Sequence, residues 1–207
     1  MSQPAFSRVV LVCAAGRPPG RELALGLARA GCAIAAHDLH PLRLESLHGE
    51  VQAAGGVCRA YVADPGKGLA ARALIDDVLA DFERLDGLVY CLHAAPPETL
   101  LQLDEWDWQR ALELNLSAPF LLSQAAAAVM RENGGGSIFF ALAEDAPYRA
   151  GRGAPSASLP LAVARAGIAG LVDGMAGELL TYNIHCALLP GGSPAALEQI
   201  LAQLDRR

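Results

Sequence analysis

The sequence predicts an α/β fold: a doubly wound, mainly parallel sheet of about six strands, sandwiched between two layers of helices. Two observations predict it. Short, almost continuous apolar runs, as expected of parallel strands covered on both faces, alternate with longer amphipathic stretches. No linker, repeat or charge run interrupts that alternation, so residues 1–207 read as a single domain.

In order, "RVVLVCA" (8–14), "CAIAAHD" (32–38), "VCRAYVAD" (57–64), "GLVYCLH" (87–93), "SIFFALA" (137–143) and "IHCALLP" (184–190) are the strands. The helical stretches between them run over about 20–30, 41–54, 67–83, 104–132 and 159–182. Strand–helix alternation with right-handed crossovers places ligands beyond the carboxyl ends of the strands, near the switch point. That gathers residues 13–20, Asp38, His93 and residues 143–158 around one crevice. After "LLPGGSP" one helical segment, "AALEQILAQLDRR", remains, so the sheet is expected to be truncated, with no seventh strand.

Composition narrows the function classes. A chain of 207 residues with 53% hydrophobic and 18% charged residues builds an ordered core. A net charge of −6 with scattered basic residues gives no footprint for nucleic acid or an anionic membrane. The apolar run near the N-terminus is too short for a signal peptide, and no stretch approaches the roughly 20 apolar residues that span a bilayer. Five cysteines without Cys-x-x-Cys spacing read as structural thiols of a reducing cytoplasm. Cys91 and His93 alone make no metal site.

Three stretches carry a family resemblance. "EWDWQRALELNLSAPFLLSQAAAAVM" holds Asn115, "GLVDGMAGELLTYNIHCALLPGG" ends in Pro190 and Gly191, and "CAIAAHDLHPLRLESL" carries Asp38 at a strand end. Together they resemble the short-chain dehydrogenase/reductase family over nearly the full chain, which implies a Rossmann-like fold and NAD(H) or NADP(H) as cofactor. The family's first turn is Thr-Gly-x-x-x-Gly-x-Gly; its counterpart here is Cys13, Ala14, Gly16, Pro18, Pro19 and Gly20, and only the last motif glycine survives in place. Proline has no N–H and fixes φ, so "RPPG" removes two donors from a phosphate loop. A rigid helix-start turn is the alternative reading of the two prolines.

The resemblance makes Gly16, Arg17, Gly20 and Asp38 the cofactor-binding candidates. Asp38 implies NAD, through the adenosine ribose; Arg17 implies NADP, through a 2′-phosphate. A third reading, preferred because the phosphate loop is compromised, pairs Arg17 with Asp38 across an empty pocket. The family's Asn-Asn-Ala-Gly is replaced by Tyr90 to His93, and an Asp that flanks the adenine is replaced by Tyr61.

The catalytic positions depart further. The resemblance implies a Tyr as general acid or base and a Lys four residues on that tunes it. It also implies a Ser that steadies the substrate, and an Asn that keeps a helix bend and proton relay. The matching residues are Leu161, Arg165, Ala143 and Asn115. The anchors Gly170-Leu171, Ala176 and Glu178-Leu179 fix that register. Tyr148 and Arg152 also stand four apart, but Pro147, Gly151, Gly153 and Pro155 oppose a helix there. The chain's one lysine is Lys67, in a "DPGKG" turn. Arg165 stays protonated and Leu161 has no proton to give; Tyr90, His93 and Tyr148 are the substitute acids at the crevice mouth.

Association is the function left. Without a seventh strand, 184–190 is an apolar edge that invites pairing. Helices 104–132 and 159–182 keep the apolar surface that the resemblance assigns to a dimer interface. The leading expectation is a catalytically inactive or impaired pseudoenzyme, a homodimer or a partner of an active homologue. The alternatives are an NAD(P)-dependent oxidoreductase with non-family catalytic residues, and a nucleotide or small-molecule sensor.

Overall fold

A computed structural model of the chain describes residues 6–91, 93–142, 158–191 and 193–206. Six strands, β1 (Arg8–Cys13), β2 (Cys32–Asp38), β3 (Cys58–Val62), β4 (Gly87–Tyr90), β5 (Gly136–Leu142) and β6 (Ile184–Pro190), form one sheet in the order β3-β2-β1-β4-β5-β6. Every neighbouring pair is parallel. The order reverses between β1 and β4, whose registered ends Cys13 and Tyr90 mark the switch point.

The helices are α1 (Gly20–Arg29), α2 (Pro41–Ala53), α3 (Gly68–Phe82), α4 (Glu105–Leu112), α5 (Ala118–Glu132), α6 (Leu159–Leu179) and α7 (Pro194–Leu204). α1 packs with α2 and α7, whereas α3, α5 and α6 form the opposite layer, giving a three-layer sandwich. β1 and β2 are covered on both faces: Val9 to Cys13 and Ala33 to Ala36 are fully buried, which is why those stretches show no polar alternation. Asp86, just before β4, accepts the Val9 N–H at 2.8 Å and two bonds from Arg84, tying the base of the sheet together.

Several limits differ from the sequence expectation, two of them with a structural cause. The stretch 104–132 is two helices joined by a π-helical turn, Glu113–Ser117, because Asn115 turns inward there to bond a loop. The fourth strand stops at Tyr90 rather than 93, the ladder with β1 closing at Cys91, whose N–H donates to the Cys13 carbonyl at 3.2 Å. α7 lies on the α1 side, where Leu197 packs on Gly26 and Asp205 meets Arg8 at 2.6 Å. Among the described residues β6 ends the sheet on one side and β3 on the other.

Leu159–Tyr182 is long and apolar enough to cross a membrane by length and composition alone, a stretch the apolar-run criterion passes over because charges interrupt it. In this fold the helix lies on β6 with Pro160, Leu161, Ala164, Ile168 and Val172 buried.

Candidate functional site

The switch-point crevice is lined by the β1–α1 turn, the end of β2 and the β4–α4 loop. β1 ends at Cys13 and the chain reverses through Ala14, which adopts a left-handed φ of 60° where the resemblance expects glycine. The turn is pinned by Ala15 N–H to the His37 carbonyl, 2.9 Å, and closes into α1 through Arg21 N–H to the Arg17 carbonyl, 2.9 Å. Pro18 and Pro19 contribute no N–H, and the Arg21 and Leu23 N–H groups are spent on Arg17 and Pro19 carbonyls. The helix start therefore keeps few donors for an anion.

Gly20 survives for a reason other than phosphate. A Cβ there would stand 2.4 Å from the Ala14 carbonyl oxygen and 2.9 Å from its carbon, both backbone atoms. Of the three motif glycines, the retained one is the one that close helix–strand packing requires.

Asp38 is 1% exposed. Its Oδ1 accepts the His40 N–H at 3.1 Å and lies 3.8 Å from the Arg43 guanidinium, while Oδ2 is buried without a hydrogen-bond partner. The pairing of Arg17 with Asp38 expected from the sequence is not formed. The Arg17 guanidinium instead crosses to the β4–α4 loop and donates to the His93 carbonyl at 2.8 Å. Arg43 takes the place at Asp38, and its Cβ sits where a side chain on Gly16 would go, at 2.4 Å. The sequence gives one signal for Arg43, its position in the first turn of α2 after the strand-end acid.

On the catalytic side, Asn115 is 3% exposed and bonds Ala94 twice, accepting its N–H at 2.7 Å and donating to its carbonyl at 2.6 Å. This side chain fixes the loop after β4 and coincides with the π-helical bend. Tyr90 does not reach the crevice mouth: it is fully buried, and its hydroxyl donates to the Leu114 carbonyl beside the bend. Burial, then the neighbouring Cys13 and Asp64, push its pKa well up, so the phenol stays protonated. His93 is half-buried in the loop itself, Nδ1 at 3.4 Å from the Cys91 carbonyl. Leu161 is buried and Arg165, one turn on, is half-buried. Ala143, Tyr148 and Arg152 lie outside the described residues.

Lys67 binds Glu113 at 3.2 Å, in a cluster with Arg110 and Asp64. The Tyr61 hydroxyl donates to Asp81 on α3 at 2.7 Å. Among the described residues no three His, Cys, Asp or Glu side chains converge as metal ligands.

A second concavity lies on the outer face of α5 and α6: a groove of about 300 Å³ lined by Phe120, Gln124, Arg131, Met175, Glu178 and Tyr182. Phe120 and Tyr182 are each more than 40% exposed there, and the Arg131 guanidinium stacks 5.7 Å over the Tyr182 ring. The Ser123 hydroxyl in its wall is buried without a partner.

Comparison with known proteins gives one consistent result. The family model described as short chain dehydrogenase matches residues 8–199. A (3R)-3-hydroxyacyl-CoA dehydrogenase of Mus musculus is 35% identical over 195 residues, covering 89% of this chain and 73% of that protein. The (2S)-[(R)-hydroxy(phenyl)methyl]succinyl-CoA dehydrogenase subunit BbsD of Thauera aromatica is 29% identical over 173 residues, 84% and 67% of the two chains. A crystal structure of a metagenomic short-chain oxidoreductase in complex with NADP superposes with a TM-score of 0.83 at 24% identity, over 97% and 91% of the chains.

Proposed function

The chain belongs to the short-chain dehydrogenase family, and from that premise we propose that it is a non-catalytic member that acts by association. The reading rests on α6, which holds buried Leu161 and half-buried Arg165 at the positions that the resemblance assigns to the family's proton donor and lysine, while the chain's one lysine is held by Glu113. A positioned acid or base is worth about 10²–10⁴ in rate, and nothing at this helix replaces it.

The crevice as folded does not suit a dinucleotide. Pro18 and Pro19 lack donors, Arg43 is packed against Gly16, and Arg17 spans to His93. We derive no hydride step through it. The outer face of α5 and α6 is the surface for association, because it combines exposed aromatic and aliphatic side chains with a groove. The partner is a second copy or an active homologue; a relative named as a dehydrogenase subunit supports that arrangement. β6, the end strand, offers a further edge for pairing. Five free thiols, four of them buried, favour a reducing compartment such as the cytoplasm.

A second reading, nucleotide binding with or without turnover, draws on Asp38 at the β2 end and on the Asn115 clamp, both of which persist. In that reading Gly16, Arg17, Gly20 and Asp38 hold NAD(H) or NADP(H). Sedimentation of the purified chain, alone and with an active homologue, tests the association. A homodimer or a stable heteromer that Phe120→Asp disperses supports it; a strictly inert monomer contradicts it.

A further inference from the structure

The sheet has an open edge at β3. This strand, Cys58–Val62, pairs with β2 and with no other strand among the described residues. The Ile34 N–H donates to the Val57 carbonyl at 2.9 Å, and in that parallel register Val57, Arg59 and Tyr61 are the residues that bond β2. The N–H and C=O groups of Cys58, Ala60 and Val62 therefore point outward. Little blunts this edge: the strand holds no proline, its one charged residue is Arg59, and Val62 is 54% exposed. A groove of about 520 Å³ opens at it, whose lining includes Pro41 and Leu44 of α2, Ala60, Val62 and the Arg59–Asp81 pair. The two faces of the strand differ. Arg59 meets Asp81 of α3 at 3.0 Å and the Tyr61 hydroxyl donates to the same carboxylate, so these side chains lie on the α3 face. Alternation puts Ala60 and Val62 on the α2 face.

We propose that this edge pairs antiparallel with the β3 edge of a second copy, about a two-fold axis at Ala60, and joins two sheets into one. The register follows from the outward groups. Centred on Ala60, it sets Ala60 opposite Ala60 and Cys58 opposite Val62. That is the one centre at which all the outward N–H and C=O groups of both strands meet partners within β3. An extended peptide of any sequence would bond the backbone, but the side chains select β3 itself. A two-fold axis normal to the sheet keeps the faces in common, so exposed Val62 is covered on the apolar α2 face and the small Ala60 lets the strands approach. On the other face each Arg59 stands opposite Tyr61 of the second copy, next to the Asp81 that this tyrosine bonds. The two Arg59–Asp81 pairs, whose side chains are 56% and 31% exposed, then form one cluster of alternating charge. The pairing goes beyond the α5–α6 association and does not rest on it. A contact of two short strands is of the weak, transient size, so a dilute sedimentation run reports the α5–α6 surface and a covalent trap reports this one.

The test is thiol cross-linking of the folded full-length chain carrying Ala60→Cys, with dibromobimane at high micromolar protein, read by gel and by peptide mass spectrometry. Ala60 is exposed, so a thiol at that position is reachable, and the unmodified chain gives the background of the native thiols. The expected product is a dimer joined through position 60 of both copies. Adding Val62→Lys, or separately Arg59→Glu, lowers its yield about tenfold or more, and circular dichroism with thermal melting identifies the folded variants. Adding Phe120→Asp leaves the yield unchanged. A dimer yield no higher than background, or one that a folded Val62→Lys or Arg59→Glu variant leaves unchanged, overturns the pairing. A yield that Phe120→Asp abolishes also overturns it and assigns the contact to α5–α6. Failure of the α5–α6 association, by contrast, leaves the position-60 product in place.

Discussion

Gly20→Ala separates a packing glycine from a phosphate-loop glycine. The added Cβ would stand 2.4 Å from the Ala14 carbonyl oxygen, 2.9 Å from its carbon and 3.3 Å from the Ala15 nitrogen. Against a non-bonded optimum of roughly 3.5 Å, α1 or the turn has to retreat by about 1 Å, and no rotamer relieves a clash with backbone. Overpacking of this kind costs about 1–3 kcal/mol, and the gain in helix propensity at the first residue of α1 returns less than about 1 kcal/mol. The net loss is about 2 kcal/mol, which in a chain of this size lowers Tm by roughly 4–8 °C. Urea unfolding and differential scanning calorimetry measure it. Gly174→Ala is the matched control: it is exposed on α6 with open space around the new Cβ, and it raises stability by about 0.5–1 kcal/mol. If Gly20→Ala unfolds at or above the parent temperature, Gly20 is not there for packing and the explanation of its survival fails.

Tyr90→Phe leaves the Leu114 carbonyl unpaired in a buried site, so urea unfolding shows a loss of about 1–2 kcal/mol with no change in oligomeric state. His37 is fully buried with Nε2 at 3.0 Å from the Ala63 carbonyl and Nδ1 unpartnered, and burial lowers its pKa from 6.5. Below that value the unfolded chain takes up a proton that the folded chain refuses. Stability is therefore intact above about pH 6.5 and falls on acidification by at most about 1.4 kcal/mol per pH unit, and His37→Gln flattens that slope in pH-dependent denaturation. The double change L161Y/R165K restores the family's residue types on α6 but leaves Pro18, Pro19 and Arg17 in place. A spectrophotometric assay of nicotinamide oxidation with a panel of ketones stays at background, and measurable turnover would show that the helix alone was limiting.

Elements whose fate depends on local apolar pattern were legible from the residues. Strands 32–38 and 184–190 have the expected limits: the first is buried along its whole length, and the second, partly exposed at the sheet end, is still marked by its apolar run. Asn115 was also legible, and the resemblance implied a helix bend at it; that the bend is a π-helical turn closed on Ala94 was not, because "ELNLS" has ordinary helical spacing and the bonding partner lies in another loop. The destination of Arg17 was missed for the same reason. Charge complementarity pointed to Asp38, whereas the fold delivers Arg43 to that carboxylate and a carbonyl to Arg17. Tyr90 reads as a crevice residue from its place at the end of β4, yet its hydroxyl turns to the Leu114 carbonyl in the π-helical bend. Long-range side-chain choices of this kind are set by tertiary packing, on which the spacing of residues along a chain is silent.

On the function proposed above, this member of the family does not work through a bound nicotinamide dinucleotide. Isothermal titration of the purified chain with NADH and with NADPH tests it most directly. No saturable heat is expected for either nucleotide up to millimolar concentration. Saturable one-to-one binding of either in the micromolar range would contradict it.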